Sequence, residues 1–142
     1  MNPGPPPSLP YAEEVNYWKT GQSSPDTWID KARRQVEEAG GTVLAEAYGT
    51  MNGYGAFMLR FAFGTDLFEI KWPVLASSTG NDKAAKIQAA TFLYHDVKAK
   101  CMAVKIKTPR VAFFEYLLLS DGRPAGSLLT PELEAHMPKL LA

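Results

Sequence analysis

At 142 residues and 15.6 kDa the chain has the length of one ordinary domain. Apolar residues make up 46% and charged residues 21%, enough to build a core and too few charges for global disorder. Fifteen Lys and Arg balance fifteen Asp and Glu, which excludes a body that is a polycation all over for nucleic acid or membrane.

The single cysteine, Cys101, has no partner for an intramolecular disulfide. The opening MNPGPPPSLP also lacks the basic and apolar regions of a secretory signal, so a reducing, cytoplasmic setting is expected. No run approaches 18 apolar residues, and no membrane partner is expected. One Cys and two His, His95 and His136, cannot close a structural zinc site, and no cofactor is called for.

In chain order, residues 1–24 read as a Pro-rich, partly flexible arm. Tyr11, Tyr17 and Trp18 interrupt it, and such aromatics favour docking on the body over presentation to a partner's groove. Ser24-Pro25-Asp26 starts a helix with Asp26 as the cap, and Trp28, Ile29, Ala32 and Val36 recur at helical spacing until Gly40-Gly41.

Thr42 to Gly49 reads as a strand, and Asn52-Gly53 as a hairpin turn. A second strand spans Tyr54 to Phe63, where Phe57, Leu59, Phe61 and Phe63 alternate with Met58, Arg60 and Ala62. Gly64-Thr65-Asp66 turns into a third strand, Leu67 to Val74, with Phe68, Ile70 and Trp72 opposed to Glu69 and Lys71. The alternations predict a meander with one apolar face and one polar face carrying Glu46, Arg60, Glu69 and Lys71.

A helix then begins at Asn81 or Asp82 and runs to about Met102. Its apolar stripe is Ala85, Ala89, Ala90, Leu93, Tyr94, Val97 and Cys101, and His95 is expected in solvent. Lys105 and Lys107 alternate with Val104 and Ile106 as if helix gives way to strand, and Val111 to Leu119 reads as a fourth, largely buried strand. Thr130-Pro131-Glu132 starts a short last helix. The expected fold is thus one α+β domain over 25–142: helix, three-stranded antiparallel meander, long helix, strand, short C-terminal helix.

Charge is not evenly spread. Residues 79–107 carry Lys83, Lys86, Lys98, Lys100, Lys105 and Lys107 against Asp82 and Asp96, a local balance of +4, whereas 1–24, 25–42, 43–75 and 108–142 each come to −1. Concentrated cations beside a helix start are what phosphate recognition needs, although a solvated helix face also carries lysines.

Ser77 to Leu93 (SSTGNDKAAKIQAATFL) resembles the second-helix signature of double-stranded-RNA-binding domains: a Gly-containing polar loop, a Lys-rich helix start, then Ala-Ala and Leu. The element order before it is similar too. The resemblance implies that Lys83 and Lys86 touch phosphates across a groove. It departs from the signature at Asp82, and Asn52-Gly53 stands where that family has a Gly-Pro-x-His loop.

In outline the chain also resembles the single-strand annealing (recombination) proteins of phages and other mobile elements, with a meander before a Lys- and Ala-rich helix. That resemblance implies single-stranded DNA between hairpin and helix, self-association, and contacts from Lys83, Lys86, Lys98, Lys71 and Arg60 with stacking on Tyr48 or Tyr54.

The leading expectation is a non-enzymatic nucleic-acid-binding protein, DNA or RNA, of the recombination accessory kind. A protein-interaction or self-assembling module is the alternative. A third reading takes Glu69-Ile70-Lys71 as part of a metal-dependent nuclease, for which the second strand offers no second acid.

Overall fold

The computed structural model describes residues 9–21, 23–128 and 135–137. Its main elements are α1 (Pro25–Glu38), β1 (Thr42–Met51), β2 (Tyr54–Phe63), β3 (Asp66–Pro73), α2 (Asp82–Val104) and α3 (Pro109–Ala112). The three strands form one antiparallel sheet in the order β1-β2-β3, with helices packed on one face.

The start of α1 is set by Ser24, not by Asp26. The Ser24 hydroxyl accepts from Thr27 N at 3.4 Å and Pro25 occupies the first turn, which leaves Asp26 as an acidic first-turn residue near the helix dipole. Asn52 and Gly53 both adopt positive φ, 53° and 83°, the backbone a tight two-residue hairpin requires. The β2 and β3 alternation holds: Leu59, Phe61, Phe68 and Ile70 are fully buried.

The first strand departs from strict alternation. Val43 opposes Phe61 and Ala45 opposes Arg60, so Leu44 is an extra residue, a β-bulge. Beyond it every β1 side chain changes face. Glu46 opposes Leu59 and lies on the helix side of the sheet, not beside Arg60, Glu69 and Lys71 as alternation predicts.

The expected strand at 111–119 is absent. Thr108 accepts from Val111 N at 3.2 Å with Pro109 behind it, a helix start, and α3 passes into a single 3₁₀ turn over Phe114–Tyr116. Of the apolar run Phe113 alone is fully buried, set edge-on to Phe61 with centroids 4.9 Å apart, while Val111 and Phe114 are exposed. Burying one Phe contributes about 2–3 kcal/mol, enough to hold so short a helix in place. The chain then touches the edge of β3 at one bridge, Phe68 with Leu117, where Leu118 N donates to Leu67 O at 2.8 Å. Nor is there a strand at 105–107: Lys107 N still donates to Ala103 O at 2.8 Å as α2 unwinds. The last expected helix lies outside the described residues, save for 135–137.

The arm docks on the body along residues 11–17. Ala12 is fully buried and its N–H donates to Ala76 O at 2.8 Å. Gln88, buried on α2, turns its amide to the carbonyls of Ala12, Asn16 and Val15 at 2.8, 2.9 and 3.2 Å. The buried amide thereby satisfies backbone groups that burial would leave costly.

Candidate nucleic-acid interface

Between the hairpin tip and the start of α2 lies a cleft of about 390 Å³, lined by Tyr11, Tyr48, Tyr54, Ser77, Ser78, Asp82 and Lys86 among others. The hairpin supplies Tyr48 and Tyr54, the arm Tyr11, and α2 Lys86 and Asp82. Lys86 Nζ sits over the Tyr48 ring, 4.8 Å from its centroid. Gly55 makes that placement workable, because an added Cβ there would overlap the Tyr48 hydroxyl.

One wall of the cleft, the loop before α2, is held by the arm. The Glu13 carboxylate accepts from Ser77 Oγ at 2.6 Å, Thr79 Oγ1 at 2.8 Å, Ser78 N at 2.9 Å and Thr79 N at 3.2 Å. Burial raises the Glu13 pKa, but these hydrogen bonds outweigh it and hold the carboxyl well below the usual carboxylate range. Asn81 then caps α2, accepting from Ala84 N at 3.1 Å.

The remaining expected residues do not gather in this cleft. Lys83 lines a separate hollow with Lys19, Gly21 and Asn81. Lys98 stands fifteen residues further along α2, about 22 Å at the helical rise. Its Nζ lies 6.0 Å from the Tyr94 ring centroid. Arg60 and Lys71 project from the far face of the sheet, both tied to the buried Glu69 carboxylate, at 2.8 Å and 3.7 Å. Among the described residues Lys83, Lys86 and Lys98 on α2 enter no ion pair, and neither do Lys19, Lys31, Lys105 and Lys107 outside it.

A second surface combining cations and aromatic rings runs along α1 and α2. Lys31 lies 4.5 Å over Trp28, Trp28 is 5.4 Å from Tyr94, and Tyr17 stacks on His95 at 4.9 Å. His95 is therefore a packed side chain rather than a solvated one, and burial, with Lys98 nearby, lowers its pKa. Helical spacing in the sequence contains two of these pairs, Trp28 with Lys31 and Tyr94 with Lys98. Nothing local announces Tyr11 or Tyr17, which reach the body through the fold of the arm.

Two further groups are structural. Cys101 is buried, and burial pushes its thiol up to about 11, away from nucleophilic chemistry. Lys100 bridges Asp96 at 2.7 Å and Glu115 at 3.2 Å, and Tyr116 donates to Asp96 at 2.7 Å, which pins the segment after α3 to α2. For nuclease chemistry, Asp66 and Glu69 stand on opposite faces of β3, and Arg110 already grips Asp66 with two hydrogen bonds, at 2.7 and 3.0 Å. Among the described residues no three His, Cys, Asp or Glu side chains cluster as metal ligands, and no helix is long and apolar enough to cross a membrane.

Compared with models of known protein families, with curated proteins and with solved structures, the chain matches none.

Proposed function

We propose that the chain is a small single-stranded nucleic-acid-binding protein whose contact surface centres on the Tyr48–Lys86 cleft. The observation that carries this reading is the joining of Tyr11, Tyr48 and Tyr54 with an uncommitted lysine in one open cleft between hairpin and helix. Aromatic faces beside a cation suit exposed bases and their phosphates, and such stacking is tolerant of sequence. Lys83 and Lys86 serve different hollows, and Asp82 shares the cleft, so a duplex-wide lysine track is the less favoured form of binding. The outline resemblance to annealing proteins extends the proposal to recombination accessory work.

Fluorescence anisotropy with labelled single-stranded and duplex DNA and RNA, at two salt concentrations, tests the reading. Single strands are expected to bind better. Tyr48→Ala and Lys86→Ala are each expected to weaken binding about tenfold, given roughly 1–3 kcal/mol per stacked base. Lys83→Ala should mainly flatten the salt dependence. No binding at about 50 mM salt, or binding indifferent to both cleft substitutions, overturns the proposal.

A further inference from the structure

Among the described residues nothing pairs with the outer edge of β1. Met51 and Tyr54 close the two-residue turn as a hydrogen-bonded pair, so by alternation Gly49, Ala47 and Ala45 also direct their backbone groups to β2. The N–H and C=O groups of Glu46, Tyr48 and Thr50 consequently point away from the sheet. Among the described residues no backbone bond reaches them. Proteins usually blunt such an edge with lysine, proline or a bulge. Here the bulge at Leu44 protects only the first end, and residues 45–51 contain neither lysine nor proline.

We infer that β1 pairs antiparallel with β1 of a second copy of this chain, Glu46 opposite Tyr48 of the other copy, giving a continuous six-stranded sheet. Charge complementarity selects both the occupant and the register. Glu46 and Tyr48 lie on the helix side of the sheet, and Lys86 sits 4.8 Å over the Tyr48 ring. In this register each Glu46, already near Arg33 of its own chain, meets the other copy's Tyr48–Lys86 pair, and the two-fold axis makes that contact twice. A shift that sets Glu46 against Glu46 places like charges together and is disfavoured. On the other face the axis passes between two Ala47 side chains flanked by Ala45 and Gly49, small enough for the close approach of a non-hydrogen-bonded pair. Leu44 and Tyr48, 53% and 48% exposed, supply apolar area that pairing covers. The interface is small, so the dimer is concentration-dependent. It shares Tyr48 and Lys86 with the proposed nucleic-acid cleft, so self-association is measured without nucleic acid and binding by anisotropy in a separate experiment.

The test is sedimentation velocity over a concentration series on the full chain, together with cross-linking. Ala47→Cys is expected to give a covalent dimer under mild oxidant, because the two Cα atoms would stand about 4.5 Å apart. Ala45→Cys alone should not cross-link, whereas Ala45→Cys mixed with Gly49→Cys should. Glu46→Lys is expected to weaken the dimer at least about tenfold, and adding Lys86→Glu to restore it, a recovery that simple loss of folding would not show. A monomer at every soluble concentration overturns the inference. So does cross-linking that favours Ala45→Cys alone, or a dimer unchanged by Glu46→Lys.

Discussion

The two edges of the sheet have been treated differently by the same chain. The edge of β3 is covered: α3 clamps Asp66 through Arg110, and the segment after it inserts Phe113 into the core and bonds Leu118 to Leu67. Among the described residues the edge of β1 carries nothing comparable, yet its strand is as long as β2. One apolar anchor and a few polar contacts suffice to cap a sheet edge without a fourth strand. Where the described residues supply no such contacts, the proposed pairing with a second copy would take up the backbone groups of the edge.

The comparison breaks most severely at Phe113. Phe113→Ala should cost about 3–5 kcal/mol in denaturant unfolding. In hydrogen exchange it should expose the Leu118 amide and leave β1 amides unchanged, so that β3 becomes as open as β1. Next in size is Tyr116→Phe, which removes a hydrogen bond to a carboxylate that Lys100 still pairs. A loss of about 1.5 kcal/mol is expected, again with faster exchange in 113–118. On the open edge, Gly55→Ala forces the Tyr48 ring to swing away from β2. Stability should change by under about 1 kcal/mol, while binding in the anisotropy assay falls severalfold.

The smallest effect is one of pH. Hydrogen bonding from Arg110, and then its charge, lowers the Asp66 pKa from 3.8 despite some burial. A depressed acid contributes fully above its ordinary value and loses that contribution as the pH falls through it toward the lower folded value. Acidification below about pH 4 should therefore loosen the β3 cover. Exchange in 108–118 measured against pH checks this, and Arg110→Gln should remove that part of the pH dependence.

Most of the layered fold was legible because periodicity carries it. Phe57 to Phe63 and Phe68 to Trp72 alternate without interruption, Asn52-Gly53 marks the turn, and Ala85 to Cys101 keeps a helical stripe. Among the features that escaped, two bear on the edges of the sheet. The bulge falls in Val43-Leu44-Ala45, where no glycine or change of polarity marks an extra residue, and it moves Glu46 to the other face. In 108–119 an apolar run suggested a strand, while Thr108-Pro109 carried the stronger local signal for a helix start. The candidate site was half legible. Lys86, Tyr48 and Tyr54 were reachable from charge and turn position, but the scatter of Lys83, Lys98, Arg60 and Lys71 depends on helix length and sheet face, which spacing alone does not combine.

Gln88 also bears on the order in which the molecule assembles. Its three bonds to the arm span 72 to 76 residues of chain, against the tight local closure of the β1–β2 hairpin. Hairpins form in microseconds, whereas distant contacts wait for the chain between them to order. During synthesis the arm leaves the ribosome before α2, and it has no surface to lie on until α2 is complete. Docking of residues 11–17 therefore follows completion of α2.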